Sequence, residues 1–312
     1  MSRRPIDIPL PDLTGRRALV TGGSDGIGLR IATRLAAAGA EVLLPVRDRQ
    51  KGQAAVARIR EQHPEARITL HDLDLASLSS VESVADRLID EGVPLNMLVA
   101  NAGVMTPPER RTTTDGFELQ LGTNHLGHFA LVGRLLPLLR AGSARVVSQV
   151  SVAADQGAVN WEDLNWERRY RAMRAYSSSK IAVGLFGLEL QRRATAGGWG
   201  VTSDLAHPGV APTSLLAART ATGRSRDGLD VRMIRLLSRL GILVGTAETA
   251  SLPALLAATS DGPGGQMYGP SGPGHLGGAP ALQPAYSRVT DEENATRMWA
   301  LSEEMTGVRF PR

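Results

Sequence analysis

Between residues 18 and 268, short apolar runs alternate with longer stretches whose apolar residues recur at helical spacing, and this alternation constrains the fold more than any other feature. Residues 18–21, 41–46, 67–70, 95–100, 145–150, 201–205 and 265–268 read as strands. Residues 27–38, 50–62, 78–90, 116–139 and 176–193 read as helices, the first closed by Gly39 and the second ending before Pro64. Strands that alternate with helices of this length imply right-handed βαβ units on a parallel sheet. The chain has 312 residues, room for one large domain or two ordinary ones, and no linker or internal repeat divides it. The expectation is a polar lead-in over residues 1–13, then a single doubly wound α/β domain over residues 14–312. Its parallel, seven-stranded sheet is flanked by helices.

Two segments interrupt the alternation. Residues 153–174 form a polar excursion containing Trp161, Trp166 and Tyr170, and residues 211–246 form a longer one ending in an amphipathic stretch over 231–243. Both follow strands, so both lie at the carboxyl edge of the sheet, where doubly wound folds bind ligands. Long connections in a compact domain serve as lids or binding loops. The aromatic group either lines a substrate cleft or anchors its loop. The 231–243 stretch, with Arg232, Arg235 and Arg239, either closes an apolar pocket or touches a membrane surface.

Composition removes several function classes. With no cysteine, thiolate nucleophiles, disulfides and Cys-ligated zinc or iron–sulfur centres are impossible. The net charge is +4, but the arginines are interspersed with 31 acids, the pattern of a solvated surface and not of a nucleic-acid face. No apolar run is long enough for a membrane span, and Arg3 and Arg4 lead into no apolar stretch of the signal-peptide kind. A cytoplasmic protein is the expectation. His125 and His128 lie three apart on a helix but have no third ligand at suitable spacing, so no metal site is expected. His207 precedes Pro208 and reads as a packing residue.

The first strand runs into Gly22-Gly23-Ser24-Asp25-Gly26-Ile27-Gly28 and then a helix. Glycines there permit a tight turn and let backbone N–H groups approach a pyrophosphate at the positive end of the helix. The motif reads TGxxxGIG. Leu73-Asp74-Leu75 follows the third strand, Asn101-Ala102-Gly103 the fourth, and Asn124 lies within Thr123-Asn124-His125-Leu126-Gly127-His128. Tyr176-Ser177-Ser178-Ser179-Lys180 supplies YxxxK and Pro208-Gly209-Val210-Ala211-Pro212-Thr213 supplies PGxxxT. This ordered set resembles the short-chain dehydrogenase/reductase family over residues 14–310. NAGVM, NHLGHF and EDLNWE look like its retinol dehydrogenase and protochlorophyllide reductase-like branch. Two places depart from the family pattern: Ala100 replaces the first asparagine of NNAG, and Ser148-Gln149-Val150-Ser151 stands where NVSS is usual.

The resemblance implies a Rossmann-type domain that binds a nicotinamide dinucleotide. Gly22, Ser24, Asp25, Gly26, Ile27 and Gly28 would hold the pyrophosphate end, Asp74 and Leu75 the adenine, and Asn101, Ala102 and Gly103 the middle. Pro208, Gly209, Val210 and Thr213 would hold the nicotinamide end. An acid at the end of the second strand would select NAD(H). That place is Val46, followed by Arg47, whose guanidinium suits a 2′-phosphate, so NADP(H) is expected over NAD(H). Asp48 beside it would work against the phosphate.

Tyr176 and Lys180, four apart on a helix, project from one face. A free phenol titrates near 10 and is a poor catalyst at neutral pH, and a neighbouring ammonium stabilises the phenolate and lowers that value. By resemblance Lys180 also binds the nicotinamide ribose, Ser151 holds the substrate oxygen, and Asn124 holds a water that links Lys180 to solvent. The implied activity is NADP(H)-dependent hydride transfer to a ketone or aldehyde, or from an alcohol. The substrate is expected to be bulky and lipophilic, and the direction reductive. An imine or conjugated C=C reductase would use the same site, and a non-catalytic NADP(H)-sensing module would keep the fold alone. Family members form homodimers or homotetramers through the YxxxK helix, or remain monomers.

Overall fold

Ala18 and Val20 face one side of the sheet and Leu19 the other, and all of β1 (Arg17–Val20) is buried, so this strand needs helices on both faces. The computed structural model describes residues 6–212 and 244–311. Its further strands are β2 (Glu41–Val46), β3 (Ile68–Asp72), β4 (Met97–Ala100), β5 (Arg145–Gln149), β6 (Thr202–Ala206), β7 (Met267–Pro270) and β8 (Pro280–Gln283). They lie in the order β3-β2-β1-β4-β5-β6-β7-β8, parallel throughout except for the last pair. The chain reverses its direction of travel between β1 and β4, which opens a crevice above their carboxyl ends.

Helices α1 (Gly26–Ala37), α2 (Arg49–Gln62) and α6 (Ala247–Thr259) share a core with one face of the sheet. Helices α3 (Leu78–Glu91), α4 (Gly127–Ala141), α5 (Ala172–Ala196) and α7 (Glu292–Thr306) cover the other. On that second face Phe129 of α4, Phe186 of α5, Trp299 of α7 and Phe310 form one cluster of rings, with centroids 4.5–6.5 Å apart. The long C-terminal helix is thereby locked to the helix that carries YxxxK.

Three features differ from the sequence expectation. The sheet has eight strands: β8 pairs antiparallel with β7, with Pro270 opposite Pro280. It is short, half-exposed and begins with proline, the signature of an edge and not of a buried strand. The expected helix over 116–139 is split. Gly116 sits in a turn at φ +87°, a π-helical turn spans Leu121–Leu126, and α4 proper begins at Gly127. Finally, α5 begins at Ala172, a full turn before Tyr176, so the tyrosine is inside the helix and not at its frayed start.

Candidate active site

The floor of the crevice is made of backbone. Gly22 has φ of +67°, and a Cβ on Gly28 would run into the Gly22 carbonyl and the Asn101 side chain. Asp25 caps α1 by accepting from the Gly26 amide at 2.7 Å. A glycine-rich turn at the start of a helix fits a dinucleotide pyrophosphate. Thr21 ties this turn to the end of β4: its hydroxyl oxygen accepts from the amides of Asn101 (2.9 Å) and Ala102 (3.0 Å). The Asn101 side chain returns a bond to the Thr21 carbonyl at 2.9 Å.

His128 joins this turn to the π-helical turn. Its Nδ1 faces the Asn124 carbonyl at 2.9 Å, which can only accept, so Nδ1 carries the proton. Nε2 is then the acceptor for the Thr21 hydroxyl, 2.9 Å away. Burial holds the imidazole neutral, pushing its pKa down to about 4. His125 turns elsewhere, to the Ser302 hydroxyl of α7 at 2.6 Å, and burial takes its pKa to about 3.

The catalytic candidates come from three elements. Ser151 follows β5 and caps a 3₁₀ turn over Val152–Asp155, accepting from the Ala153 amide at 3.2 Å. Its hydroxyl neighbours the phenol of Tyr176, and both side chains line the same cavity. Lys180 donates to the Gln149 carbonyl at 2.8 Å, and burial pushes its pKa down to about 8. The phenol does not behave as its spacing from Lys180 suggested. Burial raises the pKa of Tyr176, and the Ser151 hydroxyl offsets this only in part. Asn124 lies behind this pair. Its Oδ1 accepts from the Val104 amide at 2.8 Å, and its Nδ2 donates to the Val104 carbonyl and the Ser179 hydroxyl, both at 3.0 Å. Glycine at 103 leaves room, since a Cβ there would lie 3.1 Å from Asn124 Oδ1 and 3.8 Å from Lys180 Nζ.

One cavity of about 590 Å³, within the size range of small-molecule sites, gathers Ser151, Tyr176 and Lys180, while the buried Asn124 stands outside its lining. Gly22, Ser24, Asp25, Gly26, Ile27, Gly28, Asn101, Ala102, Gly103, Ser151, Tyr176, Lys180, Pro208, Gly209 and Val210 all line it. Arg47, Asp74 and Leu75 stand outside the lining, at the adjoining ends of β2 and β3, where the Leu73 amide bonds the Val46 carbonyl at 3.0 Å. Arg47 is exposed. Asp48 is turned to the start of α2, accepting from the Lys51 amide at 3.1 Å, so its carboxylate is occupied there. Thr213 and the 231–243 stretch lie outside the described residues.

The three aromatic residues of the 153–174 excursion are anchors. Trp161 lies under the Arg297 guanidinium at 4.4 Å, and Trp166 is buried. The Tyr170 hydroxyl donates to the Pro107 carbonyl and accepts from Gln120, both at 3.1 Å. None of them lines the cavity. Its outer walls come instead from Met105, the last residue of NAGVM, and from residues without a motif: Met173, Leu276 and Tyr286, with Asp155 and His275 among them. The loop between β7 and β8 reaches the site because the Leu276 carbonyl accepts from the Val210 amide at 2.8 Å. His207 is buried under that loop, bonded to Gln283 Oε1 at 2.8 Å. Sequence signals did exist for Thr21, His128 and Gln149, which lie inside TGxxxGIG, NHLGHF and the altered NVSS. The β7–β8 residues carry no such signal.

Among the described residues no helix is long and apolar enough to cross a membrane. Residues 16–223 match the short chain dehydrogenase family. The chain is 36% identical to retinol dehydrogenase 13 of Homo sapiens over 301 residues, 96% of this chain and 87% of that protein. It is 45% identical to polyprenol dehydrogenase of Mus musculus over 211 residues, 66% of this chain and 63% of that one. A crystal structure of a short chain dehydrogenase from Burkholderia cenocepacia in complex with NADP is similar at a TM-score of 0.62 and 27% identity, covering 82% of this chain and 96% of that one. With the glycine floor, Ser151, Tyr176 and the buried lysine in one crevice, these matches place the chain in the short-chain dehydrogenase family of nicotinamide-dependent oxidoreductases, in its retinol dehydrogenase branch.

Proposed function

We propose that this chain is an NADP(H)-dependent oxidoreductase that interconverts a carbonyl and an alcohol on a bulky lipophilic substrate, working in the reductive direction. One observation carries the reading: Ser151, Tyr176 and Lys180 line the same cavity as the glycine floor. When bound, the nicotinamide supplies the hydride to the carbonyl carbon. Ser151 holds the carbonyl oxygen, and Tyr176 gives that oxygen its phenolic proton as the alcohol forms. The Lys180 ammonium then stabilises the phenolate, and a water held at Asn124 returns the proton from solvent.

The residues assigned to the cofactor keep the roles the family pattern gives them, from Asp74 and Leu75 at the adenine to Pro208, Gly209, Val210 and Thr213 at the nicotinamide. Arg47, exposed just past β2, supports NADP(H), with the Asp48 carboxylate beside it turned to the start of its own helix. The NADP complex of a similar protein supports it too. Met105, Met173, Val152 and Leu276 in the walls favour a lipophilic substrate, as do relatives that act on retinol and polyprenol. The reductive direction rests on cells keeping NADPH largely reduced.

The test is titration with NADPH and NADH, then turnover on bulky ketones and aldehydes. Tyr176→Phe should bind NADPH as the wild type does and turn over roughly a thousandfold more slowly. Full activity in that variant overturns the mechanism, and tighter binding of NADH overturns the cofactor assignment.

A further inference from the structure

Gln149 ends β5 and is only 4% exposed, yet it lines the cavity. Its orientation follows from its neighbours. The Thr21 carbonyl can only accept, so the Asn101 nitrogen must face it, 2.9 Å away. That leaves Asn101 Oδ1, also an acceptor, for Gln149, whose Nε2 lies 3.3 Å from it. The remaining atom, Gln149 Oε1, is buried with no hydrogen-bond partner. A buried amide oxygen left in this state costs free energy that a donor on a ligand would return.

The same residue's main-chain carbonyl receives Lys180 Nζ at 2.8 Å, so Gln149 stands beside the catalytic lysine in the lining of the cavity. An acceptor at that place calls for an O–H donor on the sugar that lies beside Lys180. We propose that Gln149 is a cofactor-binding residue whose Oε1 accepts a hydrogen bond from a hydroxyl of the nicotinamide ribose. This assignment rests on reading the cavity as an NADP(H) site. Valine stands here in the family pattern NVSS and has no atom for such a contact. The glutamine therefore gives this chain a second grip on the sugar that Lys180 already holds.

The test titrates wild type, Gln149→Met and Gln149→Val with NADPH and with 2′,5′-ADP, which lacks the nicotinamide riboside, by calorimetry. Gln149→Met keeps nearly the same volume without polar atoms, and Gln149→Val installs the family's usual residue should the first variant fold poorly. The expected result is a Kd for NADPH raised about five- to tenfold in both variants, with the Kd for 2′,5′-ADP unchanged. An unchanged Kd for NADPH overturns the assignment. So does an equal loss for both ligands, because Gln149 would then act through the shape of the crevice. Wild type that binds neither ligand overturns the NADP(H) reading itself, and the Gln149 assignment with it. Normal wild-type binding with unaltered variants removes Gln149 alone.

Discussion

Among the described residues the buried Lys180 donates to one main-chain carbonyl, and its pKa falls from 10.5 to about 8 because burial disfavours the charge. The unfolded chain holds this proton up to about pH 10.5, whereas the folded chain releases it near pH 8. Between those values the unfolded state binds more protons, so stability rises with pH across the window, and below pH 8 the fold bears the full penalty. Lys180→Met should therefore stabilise the protein at pH 7 by about 1–2 kcal/mol, net of the lost hydrogen bond, and the gain should shrink toward pH 10. Urea melts at the two pH values measure this, and turnover should be lost at both. Arg47 makes a second test at this scale. Arg47→Asp should weaken NADPH by at least about tenfold and leave NADH nearly unchanged; equal losses would mean that Arg47 does not read the phosphate. The candidate catalytic side chains, which the fold brings to one cavity, were legible because chemistry restricts such groups to few residue types at fixed spacing. The pKa of Tyr176 was not, since it depends on how deeply α5 is sunk, and no spacing records depth.

At the scale of elements, the turn between β1 and α1 is held by contact of backbone on backbone. Gly28→Ala would press a methyl group against the Gly22 carbonyl, and neither chain segment has a flexible end to move aside. The expected outcome is a loss of about 1–3 kcal/mol in stability and of measurable NADPH binding, read by thermal melts and calorimetry. The loop from Val104 to Arg111 is held differently, by backbone and side-chain groups that converge on the Gln120 side chain. Its Oε1 accepts from the Thr106 amide at 2.7 Å, and its Nε2 donates to Tyr170 and to the Ala172 carbonyl at 3.1 Å each. The sequence contains these residues without marking them, because a polar hub is assembled from three segments distant along the chain. The π-helical turn was hidden for a related reason. Its apolar residues keep a helical rhythm, and only the hydrogen-bond register changes.

At the scale of the molecule, the alternation of strands and helices was enough to set the parallel sheet, its layers and the edge that carries the cavity. The outer wall was out of reach. β8 is four residues long, brackets no motif and contributes through a loop whose shape follows from packing on Val210 and His207. That hairpin has a second effect, on solubility. β6 is paired on one side by β5, and on the other only by β7, through Leu205–Met267 and Ala206–Tyr268. β7 in turn is capped by a short strand that sets Pro280 against Pro270. Prolines at a rim cannot offer the amides that another strand would need, so the sheet stops growing there. A chain whose last strands arrive late from the ribosome, or are disturbed by substitution, exposes the unpaired edge of β6, which neighbouring copies can extend. Damage in residues 267–283 is therefore expected to surface first as aggregated protein, before it is visible as a slow enzyme.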